Sequence, residues 1–110
     1  MEHIIGKTIT NSYWIQHTHL NGYSILFGGN LLSFIDESAL ILCRLCLGSE
    51  RNIYTRAVKD LEFFKPVAYN SILQVKVTVV KTGRTSITME AECIVNNDIV
   101  AKGTIINVVV

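Results

Sequence analysis

Residues 71–81 alternate cleanly: Leu73, Val75, Val77 and Val79 share one parity, and Gln74, Lys76 and Thr78 the other. That period of two is the mark of a strand with one face buried. Residues 85–95 repeat it, with Ile87, Met89, Ala91 and Cys93 set against Ser86, Thr88, Glu90 and Glu92. Thr82-Gly83 separates these two strands, and Asn96-Asn97-Asp98 reads as a hairpin turn into a last strand over residues 99–110. That strand is apolar on both parities, which places it centrally in a sheet or at a subunit contact. Near the N-terminus, residues 7–17 alternate Ile9, Tyr13 and Ile15 with Thr8, Thr10, Ser12 and Gln16, while Trp14 falls on the polar parity. Residues 53–64 form a further candidate strand, closed by Lys65-Pro66.

One segment follows a different period. Between Asn30, a plausible N-cap, and Gly48, a plausible C-terminal stop, Ser33, Asp36, Glu37 and Arg44 gather within an arc about 100° wide at helical spacing. The rest of the segment is mostly apolar, so the pattern predicts a helix buried on most sides with one narrow polar stripe. The stretch before it, residues 18–29, carries Asn21-Gly22 and Gly28-Gly29 and reads as an irregular loop. The order of elements is β-α-β-β-β-β. A single helix of about five turns is long enough to cover the apolar face of one antiparallel sheet.

Composition narrows the function. The 110 residues suit one domain, 1–110. Ten Lys+Arg against nine Asp+Glu leave a net charge of +1, which gives no field for non-specific nucleic acid binding. With 49% of residues hydrophobic and 17% charged, disorder is excluded, and some apolar surface is expected to meet another chain. The apolar stretch over residues 31–47 is too short and too charged to span a bilayer. Three cysteines and no secretory pattern point to a reducing cytoplasm. Cys43 and Cys46 have C-x-x-C spacing but lack a second pair for zinc. They lie toward a helix C-terminus, which disfavours the thiolate, so they read as buried helix residues, with no metal.

Four blocks, in order, carry a resemblance: Asn21 with Leu26-Phe27-Gly28-Gly29 and Ile35-Asp36-Glu37; Phe63-Phe64-Lys65-Pro66-Val67; Thr82-Gly83-Arg84-Thr85-Ser86; and the apolar closing strand. From Asn21 to Val110 the chain resembles the hotdog-fold acyl-CoA thioesterases, specifically the bacterial acyl-CoA hydrolase branch. The resemblance implies an α+β hotdog fold, an antiparallel sheet wrapped around one long central helix. It also implies hydrolysis of acyl-CoA to free acid and coenzyme A, with no cofactor. Asp36 matches the family carboxylate that activates or positions the water, or attacks directly. Asn21 matches an Asn that orients water or substrate. In two-domain members these two come from different hotdog units, which implies that Asn21 of one subunit works with Asp36 of its neighbour. A homodimer follows, and family members often assemble further into tetramers or hexamers. Arg84, Thr85 and Ser86 match the stretch that meets coenzyme A, with Lys65 and Arg56 as additional phosphate contacts.

The chemistry agrees with these residue types. Thioester hydrolysis needs a base for the attacking water and donors for the developing oxyanion. A carboxylate supplies the first. Backbone N–H groups in the first turn of a helix supply the second, and Gly28-Gly29 would let a carbonyl approach them unobstructed. Each residue also has a plainer reading. Asp36 is then half of an ion pair, Glu37 a partner for Arg44 or a subunit contact, Gly28-Gly29 a loop-to-helix junction, and Arg84 a partner for Glu90 or Glu92. His17 and His19 are not expected to be the base. The bulky Leu40-Ile41-Leu42 after Ser38-Ala39, with the short C-terminus, motivates an alternative function: a non-hydrolytic acyl-CoA-binding or regulatory module. A hotdog dehydratase ranks last, because that chemistry wants a His and none follows His19.

Overall fold

The computed structural model describes residues 1–110. Strand β1 spans Thr8–Trp14, helix α1 Gly28–Leu47, and strands β2 to β5 Ile53–Phe63, Ile72–Thr82, Ser86–Val95 and Asp98–Val109. Short 3₁₀ turns lie at Glu2–Ile4 and His17–His19. The five strands form one antiparallel sheet in the order β1-β3-β4-β5-β2. This is the expected β-α-β-β-β-β arrangement, with the helix packed on one face of the sheet.

The parity seen in the sequence decides which face that is. Leu73, Val75, Val77 and Val79 of β3 and Ile87, Met89, Ala91 and Cys93 of β4 are buried, and together with Leu31, Ile35, Ala39, Leu42 and Cys43 of α1 they belong to one apolar cluster. Strand β5 sits between β4 and β2, and both its parities are buried, Ile105 and Asn107 on one and Ile106 on the other. Asn96 and Asn97 turn the β4–β5 hairpin with φ of 50° and 68°, a left-handed pair that Asn tolerates better than most residues.

Three expectations are corrected. Helix α1 begins at Gly28, not after Asn30. Phe27 stands at the N-cap and donates no side-chain cap. Glu37 does not pair with Arg44. The Tyr13 hydroxyl donates to Glu37 at 2.8 Å, while Arg44 donates to the carbonyl oxygens of Ser49 (3.1 Å) and Arg51 and so ties down the chain after the helix. The open face of α1 is also wider than the polar stripe: Leu32, Ile41 and Leu45 are exposed along it, Leu45 by 70%. The helix ends at Gly48, whose φ of 85° a side chain would strain.

Candidate active site

The first turn of α1 is the starting point. The amides of Asn30 and Leu31 bond back to the Phe27 carbonyl at 2.9 and 3.2 Å, but those of Gly28 and Gly29 have no protein partner. Two donors are thus left free at the positive end of a 20-residue helix. The two glycines open onto different cavities. Gly28 lines an apolar one of about 370 Å³, with Leu26, Leu31, Phe63, Val67 and Val100 among its walls. Gly29 lines a more polar one of about 420 Å³, together with Leu32, Ser33, Asp36, Thr55 and Val58. A Cβ at Gly29 would stand 2.7 Å from a ring carbon of Phe27, so any side chain there displaces that ring.

Asp36 lies two turns down the helix, half-buried. The Thr55 hydroxyl of β2 donates to its Oδ1. Sequence reading missed Thr55. Its only signal is a hydroxyl on the helix-facing parity of β2, shared with buried Ile53, and its partner lies on another element. Asp36 makes no ion pair, since the one salt bridge in the chain joins Lys65 to Asp98 at 3.3 Å. Beneath the pair sits Asn107, directly opposite Thr55 across the β2–β5 ladder and fully buried. Its Nδ2 donates to Cys43 Sγ at 3.5 Å and its Oδ1 has no partner. Burial pushes the thiols of Cys43, Cys46 and Cys93 up, Cys93 to about 12, so none is a thiolate at neutral pH.

Asn21 sits in the loop before the helix, half-buried, with its Oδ1 accepting from the amides of Tyr23 (2.8 Å) and Ile25 (3.4 Å). This local turn holds the side chain in place and leaves its Nδ2 unused. No hydrogen bond links Asn21 to Asp36, and Asn21 lines neither cavity. Within one chain the two are not brought together.

Arg84 is exposed in the β3–β4 turn and pairs with neither Glu90 nor Glu92. Thr85 and Ser86 complete that turn; the Ser86 carbonyl accepts from Gly83 (2.8 Å) and the Thr85 carbonyl from Val109 (2.8 Å). Ser86 pairs with Val108, which pairs with Tyr54, so this turn lies at the same end of the sheet as Thr55. Lys65 lies at the other end, where its amide meets the Val100 carbonyl, most of the length of β5 away. Arg56 is exposed on β2 at a register shift between Thr55 and Ala57. His17 stacks on Tyr69 and His19 packs edge-on to Phe34, and neither makes a hydrogen bond to Asp36, whose side chain bonds to Thr55.

Comparison with known proteins places this geometry in a family. The model of the thioesterase superfamily matches residues 23–102. An uncharacterized acyl-CoA thioester hydrolase of Buchnera aphidicola subsp. Schizaphis graminum is 32% identical over 89 residues, 81% of this chain and 61% of its own length. An acyl-CoA hydrolase of Staphylococcus aureus, solved with butyryl coenzyme A and coenzyme A, superposes with a TM-score of 0.85 at 24% identity, over 94% of this chain and 65% of that one. The same enzyme has been solved with an Asn, an Asp or a Thr replaced by Ala. A hexameric broad specificity acyl-coenzyme A thioesterase superposes at 0.85 with 21% identity, covering 96% of this chain and 80% of that one. The chain thus spans less than two thirds of the length of the first two of these relatives. With a family match over most of its residues and a long helix laid on a five-stranded antiparallel sheet, the chain belongs to the thioesterase superfamily and has its hotdog fold.

Proposed function

We propose that the protein hydrolyses acyl-CoA to free acid and coenzyme A. One observation carries the reading: Gly29, with its free amide, and Asp36, held by Thr55, line the same cavity. They are separated by about 10 Å along the helix axis, room for a carbonyl at the glycine end and a water between its carbon and the carboxylate. Thr55 occupies Oδ1 and leaves Oδ2 to take the proton of that water. The water oxygen attacks the carbonyl carbon as its proton passes to Asp36, and the oxyanion is received by the amide of Gly29, the glycine that shares the cavity with Asp36. The tetrahedral species then expels the coenzyme A sulfur, which takes the proton back from Asp36.

Asn21 supplies the remaining polar contact from a second chain. The spacing supports this: the Asn and Asp replaced in the Staphylococcus aureus enzyme are fifteen positions apart, as Asn21 and Asp36 are here. Arg84, Thr85 and Ser86 take the phosphates of coenzyme A, since Arg84 has no carboxylate of its own to satisfy. Lys65, at the far end of β5, reaches a nucleotide only from a neighbouring chain. No helix is long and apolar enough to cross a membrane.

The test is thiol release, followed with a chromogenic disulfide, over a panel of acyl-CoAs and the matching thioesters without a nucleotide. Turnover is expected on the acyl-CoAs, and Arg84→Ala should weaken those far more than the nucleotide-free thioesters. Tight acyl-CoA binding without any turnover would overturn hydrolysis in favour of a binding module.

A further inference from the structure

Asn30 is the helix residue that sequence rules misassign as a cap, and its side chain does something else. Its Nδ2 donates at 3.0 Å to the backbone carbonyl of His19, which also receives the Phe27 amide at 2.8 Å. A carbonyl oxygen has two acceptor positions, and here both are filled from the start of α1. His19 is itself fixed. Its Nδ1 accepts from the Gln16 amide at 2.9 Å, and its ring packs edge-on to Phe34, which stacks on Tyr13 of β1 at 4.3 Å.

The His19 carbonyl therefore closes the base of the loop that carries Asn21. Above it, the Asn21 amide bonds to the Ile25 carbonyl at 2.8 Å and Leu20 bridges Leu26. Phe27 and Asn30 flank Gly28 and Gly29, the two residues with free amides. The loop that presents Asn21 and the helix turn that presents the oxyanion donors are thus registered on one backbone atom, and Asn30 is the one helix side chain that holds it.

We propose that Asn30 is a positioning residue, which sets the Asn21 loop against the Gly28-Gly29 turn through the His19 carbonyl. It touches no substrate and acts through the groups on either side of it. The inference rests on the hydrolase reading for its kinetic consequence. Small misplacements of oriented groups are costly in rate, so the loss falls on kcat.

The experiment compares wild type, Asn30→Ala and Asn30→Gln, which keeps a donor on a longer arm. Four quantities are read: kcat and KM on the best acyl-CoA of the panel, the thermal midpoint, and amide hydrogen exchange at Phe27. Asn30→Ala should lower kcat by about tenfold with KM within about twofold. It should exchange the Phe27 amide at least about tenfold faster while the midpoint barely moves, because opening there is local. Asn30→Gln should recover most of kcat. An unchanged kcat in Asn30→Ala, or a kcat that falls only in step with the thermal midpoint and is not recovered by Gln, would overturn the role. Should wild type turn over no acyl-CoA, the hydrolase reading falls alone. Exchange at Phe27 then decides the clamp, faster in Asn30→Ala supporting it and unchanged refuting it.

Discussion

Asp36 is held by a single side-chain hydrogen bond, from Thr55, and the task proposed for it can be tested at that bond. A half-buried acid on a mostly apolar helix needs a partner, and here the partner is a hydroxyl and not a cation. Asp36→Asn keeps the shape and removes the proton acceptor, so kcat should fall by about 10² or more with the fold intact. Thr55→Val, which keeps the volume and removes the donor, should give a smaller loss of the same kind. Steady-state kinetics beside circular dichroism checks both, and wild-type kcat in Asp36→Asn would remove the mechanism. Asn107 poses the opposite case. Its buried Oδ1 has no partner, a state that costs about 1–3 kcal/mol. Asn107→Val fits the β5 pattern and should raise the thermal midpoint by several degrees. A lower midpoint would mean that the Cys43 contact outweighs the orphaned oxygen.

Among the elements, helix α1 is where the proposed activity and stability meet, at Gly28 and Gly29. A Cβ at Gly28 would sit 3.5 Å from Phe63, an ordinary contact, and Ala in place of Gly at a compatible position stabilises by about 0.4–1 kcal/mol by restricting the unfolded chain. Gly28→Ala should therefore raise the thermal midpoint while lowering kcat, because the added methyl would stand beside the Gly29 amide proposed to receive the oxyanion. Loss of both together would make Gly28 a purely structural junction. The strands were legible in advance because β3 and β4 each bury one face, and a period of two survives in any sequence that does so. The helix was legible in its length but not in its start. Asn ranks high as an N-cap, yet here it reaches back to His19 and leaves the cap to Phe27. Thr55 was invisible for a related reason: it matters only through an acid nineteen residues earlier on another element. Arg84 and Lys65 looked like one group in sequence. The strand order sends them to opposite ends of β5, a separation no local pattern carries.

At the scale of the whole molecule, the core sets a pH limit. Burial raises the Cys93 thiol from 9.0 to about 12, and the Tyr13 hydroxyl is raised in the same direction by burial and then by Glu37. The unfolded chain releases these protons first. The Cys93 contribution is whole below about pH 9 and is lost as the pH climbs toward about 12. Denaturant titrations from pH 8 to pH 11 should show stability falling above pH 9, less steeply in Cys93→Ala. Equal slopes in the two proteins would contradict the assignment to Cys93.

Assembly follows from what one chain leaves open. The edge strand β2 is unpaired on its outer side, Leu32, Ile41 and Leu45 are exposed along α1, and Asn21 and Asp36 share no cavity. The proposed two-fold dimer would cover the edge and the helix face and would let each loop reach the neighbouring helix. Mixing Asn21→Ala with Asp36→Asn, each inactive alone, tests that account most directly. After verified subunit exchange, half of the dimers are mixed and each holds one intact site, so about a quarter of wild-type activity should return. No recovery would contradict it and leave each chain with a complete site of its own.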